Sequence, residues 1–173
     1  MPGYTLQDGV TLKNKLGVTS HEKLEAAETD YVRNRLWDFA SREGPRGHFD
    51  SDHLKAIHRH LFQDVYEWAG HTRDERIALS DGTTPAEPVL RKIDGKPFMG
   101  GQLVAEGLDR IARRLADENS LRGLTREEFG NRAADVMADL NAVHPSAKAT
   151  GAHNESLCKS WHTRPGTSSI FPW

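Results

Sequence analysis

Cysteine is almost absent. The chain has one, Cys158, which excludes a disulfide framework and points to synthesis in the cytoplasm. Long apolar runs are missing too: none approaches the roughly 18 residues of a membrane span. Met1–Val10 lacks the basic and apolar regions of a secretory leader. There is no excess of one charge. The formal net charge is −2 over 173 residues, so neither a nucleic-acid partner nor an anionic membrane surface is expected. No repeat or low-complexity linker divides the chain. What remains is one domain, long enough for a core of its own.

Helical spacing dominates what is there. Met1–Val18 is turn-rich and reads as a packing arm. Thr19 followed three residues later by Glu22 fits a capping box. Leu24, Ala27, Tyr31, Val32 and Phe39 then recur at helical intervals, ending before Gly44-Pro45. Arg33, Arg35 and Arg42 read as a solvated face. Asp50 is the expected cap of a second helix, with Phe49 as its hydrophobic staple and Leu54, Ile57, Leu61, Phe62 and Val65 on one face. Trp68 is an anchor and Gly70 a chain reversal, and Arg73 is expected to pair with Asp64 or Glu67. Histidines 58, 60 and 71 read as core-edge or surface residues, since no carboxylate or cysteine completes a metal set.

The stretch 74–97 reads as a loop and hairpin. Arg76–Leu79 is a short strand and Ser80–Thr83 a turn with Asp-Gly at its centre. Gly100–Asn119 is a third helix, buried through Leu103, Leu108, Ile111 and Leu115, with Gly107 a weak point or close contact. Thr125 and Glu128 form a second capping box. It opens a helix that buries Phe129, Ala133, Val136 and Leu140 and ends at His144-Pro145. The texture then changes. Residues 146–173 have no period, five serines, three threonines and two of the chain's four tryptophans. Cys158, His153 and His162 fall in this stretch and read as accidental neighbours rather than metal ligands, so no metal ligand is assigned.

Two stretches resemble the Fic family. Ile57–Arg73, with its Trp68-Ala69-Gly70, is one. Leu140–Pro145 is the other: it resembles the end of the helix carrying the signature His-Pro-Phe-x-(Asp/Glu)-Gly-Asn-Gly-Arg. After His144-Pro145 the chain reads Ser146, Ala147, Lys148, Ala149, Thr150, Gly151, Ala152, and only Gly151 agrees. A one-base loss after the Pro145 codon accounts for the break. Shifting the frame back permits Phe-Arg-Glu-Gly-Asn-Gly-Arg, and beyond it an amphipathic helix of the kind that follows the signature in this family.

The resemblance implies an all-α fold: a Fic-like helical core with a β-hairpin flap, its last helices missing or replaced by an irregular tail. Residues 1–145 are then a truncated Fic domain and 146–173 an aberrant, disordered tail. If the lost helix buried roughly 500 Å² of apolar surface it was worth about 10 kcal/mol, against roughly 5–15 for a whole domain. A marginal domain is therefore expected.

The implied activity is protein adenylyltransfer: AMP moves from ATP to a Ser, Thr or Tyr hydroxyl of a target protein and pyrophosphate leaves. His144 would be the general base. The acidic residue would hold Mg²⁺, Gly-Asn-Gly would cradle the phosphates, and the Arg would pair with them. In this chain Lys148 stands at the metal position, Gly151 is the one surviving residue of the nucleotide cradle, and Ala152 replaces the Arg. The copy is thus expected to be catalytically impaired and not to bind Mg-ATP. Ile77, Ala78 and Leu79 would form the flap that docks an extended target by β-augmentation. The alternative is a non-catalytic remnant that binds a target or an inhibitor, or a pseudogene product. No inhibitory (Ser/Thr)-x-x-x-Glu-(Gly/Asn) helix occurs in the chain. The resemblance then implies a separate antitoxin-like inhibitor or a lost C-terminal segment. It further implies the bacterial cytoplasm, or export into a host cell as an effector. Sequencing the gene is expected to reveal one base missing after the Pro145 codon relative to close relatives; an intact frame would sink the reading.

Overall fold

The computed structural model describes residues 3–85 and 100–146. They form four α-helices: α1 (His21–Ala40), α2 (Ser51–Phe62), α3 (Val104–Asp117) and α4 (Arg126–Val143). Helix α1 packs on α2, α2 on α3 and α3 on α4. No strand of more than one residue forms among the described residues; a single antiparallel bridge joins Thr5 and Leu12. The expected tail, 146–173, lies outside the described residues except for Ser146, and so does the far side of the expected hairpin.

The N-terminal arm is a packing element. Asp8 closes its turn by accepting from the N–H groups of Val10 and Thr11 at 3.0 and 2.9 Å. Tyr4 is carried inward, 1% exposed, with its ring edge-on to Trp68 at 5.4 Å. The Lys15 N–H donates to the Val65 carbonyl at 2.8 Å, tying the arm to the end of α2.

Helix α1 starts one residue later than its sequence suggests. Ser20 is the cap and makes no side-chain cap bond, so Glu22 sits a position too early to reach back as a capping box requires. Its buried stripe is Leu24, Glu28, Val32 and Phe39, whereas Tyr31 is exposed. Glu28 belongs to the stripe because it accepts the Tyr66 hydroxyl at 2.5 Å in the core. Burial, then the Glu28 hydrogen bond, pushes the Tyr66 pKa up, so the phenol stays a donor.

Helix α2 follows its sequence closely. Asp50 accepts from the His53 N–H at 2.8 Å, and Phe49 and Leu54 are both buried at its start, as a staple needs. Helix α3 is shorter than expected. Gly101–Leu103 forms a 3₁₀ turn, which leaves Leu103 exposed and gives its core place to Val104. Helix α4 has both halves of its capping box: Glu128 N–H to Thr125 Oγ1 at 3.3 Å and Thr125 N–H to Glu128 Oε2 at 2.9 Å. Phe129, Ala133, Val136, Leu140 and Val143 form its buried face.

Gly70 makes the reversal after Trp68 with φ of +90°. A Cβ there would lie 2.8 Å from Arg59 Cβ, so Gly70 is held by conformation and by space. At Gly82, with φ of +76°, a Cβ would meet nothing within 4 Å, so only conformation holds it. Gly70→Ala is expected to cost roughly 1–3 kcal/mol in backbone strain plus the clash, and to lower Tm more than Gly82→Ala. Equal losses, or the reverse order, would refute the packing part of this account.

Candidate functional site

The site is built where α4 ends. His144 caps the helix in the left-handed region (φ 46°, ψ 65°), and its N–H still reaches the Leu140 carbonyl at 2.8 Å. A non-glycine residue there is strained, on the order of 1–3 kcal/mol, and persists only where its surroundings fix it. A helix end also leaves its last carbonyls without intrahelical donors. Arg73 meets both needs. Its side chain is 0% exposed. Its Nε donates to the His144 carbonyl at 2.7 Å and its Nη2 to the Val143 carbonyl at 3.3 Å. Its own N–H donates to the Pro145 carbonyl at 2.7 Å.

This corrects the sequence reading of Arg73. Asp64 is taken by Arg35, through Nε to Oδ2 at 2.7 Å and Nη2 to Oδ1 at 2.9 Å. Arg35 is thus not the freely solvated residue expected. Glu67 instead accepts from Ser80, whose N–H lies 2.7 Å away. The local pattern offered two carboxylates near Arg73; among the described residues its side chain reaches main-chain carbonyls about seventy residues away, which no local pattern signals.

His144 itself is more than half withdrawn from solvent. Burial first, and the Arg73 guanidinium second, hold its pKa below the ordinary histidine value of 6.5. It is therefore neutral at physiological pH, the state a proton acceptor requires. Ser146, two residues on, is buried at 4% exposure. Gly151 and Lys148 lie outside the described residues.

The expected flap residues are Ile77, Ala78 and Leu79. Leu79 is buried, Ile77 packs on the core edge, and Ala78 faces out. The turn beyond them is tightly made. Leu79 N–H donates to the Thr83 carbonyl at 2.8 Å and Gly82 N–H to the Leu79 carbonyl at 2.9 Å. Lys13 Nζ reaches Asp81 Oδ2 at 2.9 Å and Thr83 Oγ1 at 2.7 Å. Hydrogen bonds from Thr83, and then from Lys13, pull the Asp81 pKa down to about 2. The segment Arg73–Leu79 thus runs directly from the end of α4 to an anchored turn, and brings the two candidate elements onto one short piece of chain.

The three histidines do separate work. His58 is buried and accepts the Gly70 N–H at Nδ1, 2.9 Å away, clasping the reversal to α2. His60 Nε2 lies 2.8 Å from Asp38 and His71 Nδ1 lies 2.7 Å from Glu75. Sequence reasoning missed Glu28 and Tyr66 as a polar pair inside the core, and it missed Arg73 as the partner of α4. The helical register of Glu28 with Leu24 and Val32 was the available signal for the first.

The sequence profile of the Fic/DOC family matches residues 48–151. A protein adenylyltransferase of Bartonella henselae is 35% identical over 150 residues, covering 86% of this chain and 27% of its own length. The probable protein adenylyltransferase y4lH of Sinorhizobium fredii is 30% identical over 142 residues, covering 81% of this chain and 64% of its own. The chain therefore spans about a quarter of the Bartonella relative's length and less than two thirds of the Sinorhizobium one. Among solved structures, the BepC protein of Bartonella tribocorum, a VirB-translocated effector with bound AMPPNP, superposes with a TM-score of 0.85 at 34% identity, covering 91% of this chain and 75% of that one. The Fic domain of a VirB-translocated effector from Bartonella quintana gives 0.84 at 33% identity, covering 92% and 72%. The profile match takes in both the Trp68–Arg73 reversal and the His144-Pro145 helix end, the helical core superposes on solved Fic domains, and the chain belongs to the Fic/DOC family.

Proposed function

We propose that this chain is a protein adenylyltransferase by descent that does not transfer AMP in its present form. The observation that carries the reading is the contrast at the end of α4. His144 is half-buried, neutral and held at its main-chain carbonyl by Arg73, as suits a general base, while the seven residues after Pro145 keep only Gly151 of the signature. Ser146 adds support: it is buried at the position where the family signature has Phe, an apolar slot filled by a hydroxyl.

In the restored frame the chemistry is an attack of the target hydroxyl oxygen on the α-phosphorus of ATP. The Pα–O bond to the β-phosphate breaks, pyrophosphate leaves and the hydroxyl proton passes to His144. Base catalysis of this kind is worth roughly 10²–10⁴ in rate. The residues of this chain do not fit the magnesium that the family reaction uses. Lys148 is a cation at the acidic position. Ala149, Thr150 and Ala152 supply neither a glycine nest nor a phosphate-pairing Arg.

The second reading, a remnant that binds a target or an antitoxin-like inhibitor, is favoured by the Ile77–Thr83 stretch. Its anchors, Glu67 to Ser80 and Lys13 to Asp81, use no residue after Pro145. Docking of an extended target at Ile77–Ala78 is therefore compatible with a lost signature.

Restoring one base after the Pro145 codon is expected to yield a protein that binds Mg-ATP in calorimetry and transfers α-labelled AMP, while the unrestored chain does neither. Labelling by the unrestored chain, abolished by His144→Ala, would overturn the inactive reading.

The depressed His144 pKa also ties stability to pH. Unfolded histidine takes up protons near pH 6.5; folded His144 does so only at lower pH. Between those values the unfolded chain binds more protons, so stability rises with pH. The contribution is complete above the unfolded value and is lost as pH falls toward the folded one. His144→Asn keeps a residue that tolerates the left-handed region and removes the titration. Its Tm is expected to fall less steeply than the parent's between about pH 7 and about pH 5. Parallel slopes would contradict this.

A further inference from the structure

We propose that Arg73 is the positioning residue of the site: its buried guanidinium grips the carbonyls that end α4 and so sets where His144 stands. The inference rests on His144 being the base, but its test does not require activity.

The geometry asks for more than a structural stop. A helix can end without strain with Gly in the left-handed position, satisfying its last carbonyls by main-chain bonds alone. Here the position is His144 at φ 46°, a residue that is strained there. The groups that fix it come from a fully buried cation, and burying a guanidinium carries a large desolvation penalty before its bonds are made. Two contacts from the fork and one from the Arg73 main chain fall on three consecutive carbonyls, Val143, His144 and Pro145. Three donors on three successive peptide groups hold the planes on either side of residue 144. The cation also lies at the negative end of the α4 dipole, where positive charge is favoured. Its charge acts directly on the His144 titration, in the same direction as burial.

Arg73 has the features of a residue acting through another. It sits on the Trp68-Ala69-Gly70 side of the fold, and its placement depends on the reversal at Gly70 that His58 clasps. A fixed imidazole matters because a displacement of about 1 Å in a reacting group can cost on the order of 10²-fold in rate.

The test is histidine-detected NMR on the full chain, with Arg73→Met, which keeps length and removes the cation, and Arg73→Lys, which keeps the cation and removes the fork. In a folded Arg73→Met variant the His144 pKa is expected to rise toward the free value, and its Cα and Cβ shifts to leave the left-handed range. Arg73→Lys is expected to keep the pKa low while the main-chain shifts of 143–145 move. A folded Arg73→Met variant with the parent's titration and shifts would overturn the proposal. If that variant does not fold, unchanged shifts at 143–145 in Arg73→Lys would overturn it. In the frame-restored protein Arg73→Lys is expected to lower kcat on the order of 10²-fold with little change in KM. A restored protein that transfers no AMP at all would refute the adenylyltransferase reading and leave the NMR result standing.

Discussion

The organisation of the molecule depends on how one helix is allowed to stop. The candidate base His144 sits at the C-cap of helix α4, where main-chain carbonyls lack partners. Arg73 supplies the donors from inside. That contact requires Arg73 to enter the core, which requires the reversal at Gly70, which requires Trp68 to fill the space beneath it. Trp68 is fixed by Tyr4 edge-on and by Tyr66 stacked at 4.5 Å. The arm, α2 and the aromatic cluster can be read backwards from the carbonyl of His144.

Much of this was legible in the chain where the signal is local. The Asp50 cap and the Thr125–Glu128 box are built within three or four residues, and both are present. The buried faces of α2 and α4 follow from helical spacing, because a helix presents its stripe whatever it packs on. Elsewhere the local signal misleads. Thr19 and Glu22 have the right spacing for a box, but the helix begins one residue on. Leu103 has the right period for α3, but a 3₁₀ turn rotates it outward. Tyr31 lost its place to Glu28, whose burial depends on a hydroxyl thirty-eight positions away.

The site divided in the same manner. His144 was proposed through its neighbours, Leu140–Pro145, and the structure gives it partial burial and an unusual backbone. The partner of Arg73 could not be read, since carbonyl oxygens carry no sequence signal. The expected hairpin has its turn, held by Asp81, Thr83 and Lys13. The expected strand at Arg76–Leu79 does not form, and the far side of the hairpin and Gly151 fall outside the described residues. Ile77 and Leu79 turn their side chains to the core, so that any docking there would be made by the main chain.

The clamp on α4 is read on one side only. Its acceptors are peptide oxygens, identical at every residue, so substitution at 143 or 145 changes nothing that Arg73 recognises. Two of its three donors belong to one side chain, whose fork no other amino acid reproduces. The clamp therefore constrains residue type at the giving end and not at the receiving end, where Val143 is held instead by its burial in the core. All three acceptors lie at or before Pro145, ahead of the proposed frameshift. The backbone posture of His144 is thus encoded entirely by residues up to Pro145, independent of whatever follows.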